Sequence, residues 1–294
     1  MDHLPVLLAE VLHWLDPRPG QIVVDATAGL GGHASAIWTR IQSGGTLIAL
    51  DQDPAMIAMA RSRLDDPRVI WRHANFEDLP RVLDELKIPR VDAILADLGF
   101  CSAQMSDPAR GFSFQADGPL DMRLDPTRGE PASALLRRMS EKDLADIFWQ
   151  FGEERFSRRV ARKIVEVRQK APIVTTAQLA DLVKSCVPRS KGHNIHPATR
   201  VFQALRIAVN DELGALERFL TAAPECLRAG GKLAVISFHS LEDRIVKQAF
   251  RKSPESVREL TRKPVQAGDE EVRTNPRARS AKLRVAMRIE ETET

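Results

Sequence analysis

Three carboxylates in the first third of the chain could bind a ligand, because each comes directly after a mostly apolar stretch that predicts a buried strand. They are Asp25 after residues 22–24, Asp51 after residues 46–50, and Asp97 after residues 91–96. In open α/β sheets ligands bind at the carboxyl ends of the strands, all of which lie at one edge. One such acid alone could merely cap a turn or a helix. Three on successive strand ends predict a ligand cleft.

The segment after the first of these stretches is a glycine-rich turn, which reads Asp-Ala-Thr-Ala-Gly-Leu-Gly-Gly-His over residues 25–33. Glycines let the backbone approach a ligand, and the helix that follows offers its N-terminus. Gly29, Gly31 and Ala34 also satisfy the loose dinucleotide pattern G-x-G-x-x-A. That pattern leaves a dinucleotide, another nucleoside cofactor or a purely structural turn open.

Charge favours one of these cofactors. Asp25 stands just before the turn, where it would repel the pyrophosphate of a dinucleotide. S-adenosylmethionine has no phosphate and carries an ammonium and a sulfonium, which a carboxylate attracts. Asp51 suits either cofactor, since it can accept hydrogen bonds from ribose hydroxyls. Phe76 follows a further apolar stretch at residues 69–71 and is interpreted either as a stacking partner for adenine or as a core residue.

Apolar stretches alternate with helix-like segments along residues 1–105 and return after residue 198, which predicts an α/β fold with a doubly wound, mostly parallel sheet. Between them, residues 106–125 lack any period, and helical patterns follow from Ser140 and from Thr175 with Gln178. We therefore expect a discontinuous domain of residues 1–105 and 198–294, with a small helical domain of residues 106–197 inserted in it. Residues 198–219 have a helix-like pattern.

Composition restricts the class of protein only weakly. The net charge of +3 is too small to argue for nucleic acid. The odd number of cysteines, three, fits a reducing compartment, and no His, Cys or acidic set has metal-ligand spacing, so we expect no metal. No apolar stretch approaches the ~20 residues that span a bilayer. The expectation is a cytoplasmic protein without a membrane partner.

Longer stretches resemble one family, the bacterial ribosomal RNA small subunit methyltransferase H family. The Gly-rich turn is shared by many methyltransferases, whereas the later stretches are specific to this family. The matching stretches are residues 3–10, 29–33, 110–114, 117–123, 196–200, 202–206, 236–244 and 275–284.

The resemblance implies a class I, Rossmann-like S-adenosylmethionine-dependent methyltransferase that modifies the exocyclic N4 of a cytidine in the decoding region of 16S rRNA. The inserted domain would then recognise substrate. Within residues 97–104 the family usually reads Val-Ser-Ser-Pro-Gln after Asp-Leu-Gly, whereas this chain has Phe100, Cys101 and Ala103. The cofactor contacts that the resemblance implies are Gly31, Gly32, His33, Asp51, Phe76, Asp97 and Gln104.

Two basic clusters could contact RNA phosphates or could simply be solvated faces. One lies in the predicted helix around residues 155–163. The other lies near the C-terminus, where the family context favours RNA, and from it we predict contacts by Arg277, Arg279 and Lys282. The partner would be 16S rRNA, within the small ribosomal subunit or its precursor, and a homodimer is left open.

The group that accepts the proton from the target amine cannot be assigned from the sequence, and Asp97 is only a weak catalytic candidate. The Asp/Ser/Asn-Pro-Pro-Tyr/Phe segment of amino-methyltransferases that act on DNA is missing after residue 97. Two alternatives are kept beside the methyltransferase, an NAD(P)-dependent Rossmann oxidoreductase and a non-catalytic rRNA-binding assembly factor.

Overall fold

In a computed structural model of the chain, residues 4–187, 196–252 and 255–289 are described. Their strands, β1 to β7 in chain order, are Ile22–Asp25, Thr46–Asp51, Val69–His73, Val91–Asp97, Leu227–Ser237, Val257–Glu259 and Lys282–Arg288. Their α-helices, α1 to α13 in chain order, are Leu8–Leu15, Gly32–Ile41, Pro54–Arg63, Leu79–Glu85, Ser102–Ser106, Ala132–Arg138, Glu141–Gln150, Ser157–Arg168, Thr176–Cys186, Thr199–Asn210, Glu212–Cys226, Ser240–Lys252 and Asp269–Thr274.

The strands form one sheet in the order β3-β2-β1-β4-β5-β7-β6. Strands β1 to β5 are parallel, and β7 runs antiparallel to both β5 and β6. The predicted doubly wound, mostly parallel sheet is thereby confirmed. Its strand order reverses direction between β1 and β4, which is the point where open α/β sheets leave a crevice for a ligand.

Both faces of the sheet are buried, which explains why the central strands β1, β2 and β4 are mostly apolar. In β1, Val23 packs in one apolar core and Val24 in another. Leu47 and Ile48 of β2 divide between the same two cores. Successive side chains of a strand point to opposite faces, so a sheet covered on both sides needs continuous apolar residues instead of alternation.

The chain divides into two compact units, Met1–Gly99 with Leu213–Thr294 and Phe100–Glu212. The first holds the sheet. The second has its own apolar core, in which Val201 and Phe202 of α10 pack with Phe148 of α7. The predicted domain boundary before residue 198 assigns α10 to the other part of the chain, so the units and the predicted domains differ at this helix.

The helix-like pattern over residues 198–219 corresponds to two helices in the structure. Helix α10 ends at Asn210, and Asp211 has φ +48° in the left-handed region, which an α-helix cannot contain. Helix α11 then begins at Glu212. Aspartate is one of the few non-glycine residues found in this conformation, so the break needs neither Gly nor Pro. Among the described residues, no helix is both long and apolar enough to cross a membrane.

Candidate active site

The structure brings the three strand-end carboxylates to one edge of the sheet. Asp25 ends β1, Asp51 ends the neighbouring β2, and Asp97 ends β4 on the other side of β1. Asp25 and Asp97 therefore flank the point where the strand order reverses. Their charges interact, since Asp97 and Asp51 both contribute to raising the pKa of Asp25.

Asp51 fixes the glycine-rich turn in place. Its Oδ2 accepts a hydrogen bond from the Gly29 N–H at 2.7 Å, and its Oδ1 accepts one from the Asp53 N–H at 2.8 Å. Gly29 and Gly31 have φ of +52° and +82°, a region that L side chains rarely adopt. At Gly31 a Cβ would also lie 3.2 Å from the Cβ of Ala60. The turn thus needs glycine for its conformation as well as for access to a ligand.

Thr27, which the sequence reasoning did not select, connects the turn to β4. Its backbone N–H donates to Asp25 Oδ1 at 3.2 Å, and its hydroxyl oxygen accepts the Asp97 N–H at 2.6 Å. The other Asp25 oxygen, Oδ2, is buried and has no hydrogen-bond partner in the described part of the protein. The only sequence signal for Thr27 is its place between Asp25 and Gly29 in the turn.

His33, in the first turn of α2, is buried and held by the chain near its N-terminus. Its Nε2 lies 2.9 Å from the carbonyl oxygen of Val6, which can only accept, so Nε2 carries the proton. Nδ1 faces Asp97 Oδ2 at 3.6 Å. Burial lowers the pKa of His33, which favours the neutral ring. At Gly32, a Cβ would lie 3.2 Å from Pro5, so residues 5 and 6 pack directly on the turn.

Residues 4–7 are in turn tied to α13 near the other end of the chain. The Leu7 N–H donates to Glu271 Oε1 at 2.7 Å, and Asn275 Nδ2 donates to the Leu4 carbonyl at 3.1 Å. The His33 ring is therefore oriented through a connection that includes both ends of the described chain.

Burial makes the carboxylates costly to ionise. It raises the pKa of Asp25 and Asp51 to about 6 and that of Asp97 to about 7. The positive charge of Arg277 opposes the shift at Asp97, and backbone N–H donors oppose it at Asp51. A cation bound among these groups would lower all three pKa values, because it stabilises their ionised forms.

Comparison with known proteins identifies the family of this chain. The family model of the MraW methylase family matches residues 1–289. The chain belongs to the MraW methylase family. Ribosomal RNA small subunit methyltransferase H of Acidobacterium capsulatum is 50% identical over 295 residues, 97% of either chain. The protein of that name from Sorangium cellulosum is 51% identical over 290 residues, covering 98% of this chain and 91% of the relative.

Matches to solved structures are more distant. An rRNA methylase from Streptococcus thermophilus, for example, reaches 12% identity and a TM-score of 0.41, covering 96% of this chain and 94% of that one. The assignment to the MraW methylase family therefore depends on the family model and the sequence relatives. It confirms the predicted methyltransferase with S-adenosylmethionine as cofactor, over the oxidoreductase and the non-catalytic factor.

The residues of this methylase fit that cofactor. Asp25 Oδ2 and Asp97 Oδ1 are buried oxygens without a hydrogen-bond partner in the described residues, and both belong to the strand-end cluster. Bound there, S-adenosylmethionine supplies an electrophilic methyl group on a sulfonium. The carboxylates would hold its positive charge, and the glycine turn leaves room for backbone contact.

Two of the predicted cofactor contacts have other partners in the structure. Phe76 is 9% exposed and packs edge-on against Phe219, with 5.3 Å between ring centroids. Gln104 is buried in the second unit, where its Oε1 accepts the Cys101 N–H at 2.9 Å at the start of α5. These contacts give both residues a structural role, and their contact with cofactor stays a prediction.

The three residues predicted to bind RNA differ in their surroundings. Arg277 lies over the Phe238 ring, 5.9 Å from its centroid, and its charge acts on Asp97. Arg279 is exposed. Lys282 Nζ lies 3.4 Å from Asp243 Oδ2, in an ion pair that also includes Arg284. Arg277 is thus the one that the structure brings to the strand-end carboxylates.

Proposed function

We propose that this chain transfers a methyl group from S-adenosylmethionine to the exocyclic N4 of a cytidine in the decoding region of 16S small-subunit rRNA. One observation carries the choice of substrate. Relatives that are 50% and 51% identical over nearly the whole chain are named ribosomal RNA small subunit methyltransferase H. The target base and atom come from the family resemblance of the sequence.

Methyl transfer to this amine requires two contributions from the protein. The cytosine amine is a poor nucleophile because its lone pair is delocalised, so the protein must hold it in line with the methyl group and accept its N–H hydrogen bonds. Asp97 Oδ1 is a buried acceptor with no partner among the described residues, at the crevice between β1 and β4. This geometry supports Asp97 as the residue that touches the reacting groups.

The cytidine must be unstacked to reach that crevice, since base-modifying enzymes act on single-stranded or extruded nucleotides. In this proposal, residues 106–197 recognise the RNA around the target. Arg277, Arg279 and Lys282 contact its phosphates. The rRNA is bound within the small subunit or its precursor, and the enzyme works in the cytoplasm, where those particles are.

Mapping methylated cytidines in 16S rRNA tests the proposal directly. Cells that lack the protein should lose one N4-methylation, and the wild-type gene should restore it while the Asp97→Ala variant should not. Purified protein should also transfer labelled methyl to small-subunit particles from the deficient cells. Unchanged methylation in those cells would refute the proposed substrate, whatever the fate of the cofactor assignment.

A further inference from the structure

The second unit exposes two large aromatic side chains at the corner between α7 and α8. Trp149, next to the end of α7, is 58% exposed, and Phe156, just before α8, is 38% exposed. Their neighbours Phe148 and Val160 are fully buried in the core of this unit. We call residues 149–159 the aromatic corner.

The backbone of the aromatic corner is fixed. The buried Glu154 carboxylate accepts the Phe156 N–H at 2.8 Å, and the Glu154 N–H donates to the Phe148 carbonyl at 3.0 Å. At Gly152 a Cβ would overlap the carbonyl oxygen of Arg200. The exposure of the two rings is therefore a property of a tightly packed turn.

Three exposed arginines lie in the same segment as these rings. Arg155 precedes α8, and Arg158 and Arg159 are in its first turn, on the side of the helix away from its buried residues Val160 and Ile164. In the described part of the chain, none of the three has an acidic partner within ion-pair distance. Arg200 brings a further positive charge to the aromatic corner, since its Nη1 donates a hydrogen bond to the Glu153 carbonyl at 3.1 Å.

The face continues along α8, where acidic residues do balance the charge. Arg162 pairs with Glu141 at 3.6 Å, and Lys163 pairs with Glu166 at 3.2 Å. The exposed arginines of this face that lack an acidic partner in the described residues are thus those of the aromatic corner itself, which also contains one exposed carboxylate, Glu153.

We propose that the aromatic corner binds a single-stranded segment of the RNA substrate. Unpaired arginines bind phosphates, and exposed aromatic rings stack on unpaired bases, which is the combination that single-strand binding surfaces use. A protein partner is less well matched, because an apolar interface would take three arginines that have no acidic partner in the described residues out of water. The inference depends on the proposed function for the identity of the RNA.

Two sets of variants test this surface. The corner set replaces Arg155, Arg158 and Arg159 with Gln, and a second corner variant is Trp149→Ala. The control set replaces Arg40, Arg61 and Arg258, three exposed arginines of the first unit, with Gln. It therefore removes the same amount of positive charge as the corner set. Thermal melting and S-adenosylmethionine binding should be unchanged in all of them, which shows that each variant is folded.

Binding of a fluorescent single-stranded oligocytidine is then measured over a series of salt concentrations. Three lost phosphate contacts should reduce the log–log salt slope of the corner set by about 2, whereas the control set keeps the wild-type slope. Trp149→Ala should weaken binding about 5- to 100-fold through lost stacking, and Trp149→Phe should keep most of it. Quenching of tryptophan fluorescence by the RNA should decrease in Trp149→Phe, in which three other tryptophans remain.

Two outcomes overturn the inference. Corner and control sets with equal affinities and slopes would mean that the corner is a solvated face. A change in self-association caused by Trp149→Ala, without a change in RNA affinity, would mean a protein interface. Methyl transfer to small-subunit particles separates this inference from the proposed function. If the wild type methylates rRNA and the corner set does so equally well with unchanged KM, only the corner is wrong.

Discussion

His33 and Asp97 face each other with 3.6 Å between Nδ1 and Oδ2, while the other ring nitrogen of His33 donates to the Val6 carbonyl. The histidine therefore presents a lone pair to a carboxylate whose own pKa is raised to about 7 by burial. Because the His33 ring is neutral, it carries no positive charge that could balance an ionised Asp97. A proton on Asp97 or a cation beside it relieves this repulsion, and both possibilities lead to measurable predictions.

Asp97→Asn should abolish cofactor binding and methyl transfer together, because it removes the charge that a sulfonium needs and keeps the shape. We expect the affinity for S-adenosylmethionine to fall at least about 30-fold, ~2 kcal/mol. Isothermal titration calorimetry measures it, and Asp84→Asn, an exposed acid on α4, is the charge-matched control. Unchanged affinity in Asp97→Asn would show that this carboxylate is not a cofactor contact.

Cofactor affinity should increase as the pH rises through 6 to 7 and stay constant above. Burial raises the pKa of Asp25 and Asp51 to about 6 and that of Asp97 to about 7, and a bound cation requires their ionised forms. Binding near pH 6 must then release protons, which calorimetry in two buffers of different ionisation enthalpy detects. An affinity that is independent of pH over this range would contradict the raised pKa values.

The stability of the cofactor-free enzyme should show the opposite trend. A carboxyl whose pKa is 3.8 in the unfolded chain and about 7 when folded binds its proton more tightly in the folded state. Stability from that proton is present below pH 3.8 and is lost as the pH rises towards 7. Asp97→Asn cannot lose it, so the melting temperature of the variant relative to wild type should increase over this window. A constant difference at every pH would refute the prediction.

Gly118→Ala should destabilise the second unit. A Cβ at Gly118 would overlap the carbonyl oxygen of Pro108, and the backbone of Gly118 is held by hydrogen bonds with Thr176 at the start of α9. We expect a loss of about 1–3 kcal/mol in the free energy of unfolding, as in other overpacked sites. Gly268→Ala is the control, because no heavy atom lies within 4 Å of its Cβ position. Equal thermal melting curves for the two variants would contradict the steric argument.

Replacing Arg277 and Arg279 with Ala should lower rRNA affinity and reduce the log–log salt slope by about 1.4, for two lost phosphate contacts. The two single variants should differ in a second measurement. The charge of Arg277 lowers the pKa of Asp97, so Arg277→Ala should also shift the pH dependence of cofactor binding upward. Arg279→Ala should leave cofactor binding as it is. An unchanged salt slope in the double variant would argue against both contacts.

The parts of the fold that could be predicted from sequence are those with a local signal. An apolar stretch followed by an acid predicted the ends of β1, β2 and β4, and the start of α9 was predicted from Thr175 and Gln178. That pair indeed forms a capping box, with each side chain bonded to the backbone of the other. Such signals need only a few neighbouring residues.

The remaining features depend on contacts between distant residues. Thr27 and Asp97 are 70 positions apart, and Leu7 and Glu271 are 264 apart, so no local pattern predicts either hydrogen bond. The exposure of Trp149 could not be predicted from the sequence either, because the same helix pattern places its neighbour Phe148 in the core. The three-residue strand β6 is too short to give any period of its own.

The connection from His33 through Val6 and Leu7 to Glu271 also has a consequence for synthesis of the protein. A growing chain can build β1, the glycine turn and α2 early, but the partner of Leu7 leaves the ribosome only after residue 271. Until then the Leu7 N–H lacks this acceptor, although Val6 and Leu7 already share an apolar core with α2. The segment that positions His33 should therefore gain this hydrogen bond only after residue 271 has been synthesised, long after β1, the glycine turn and α2.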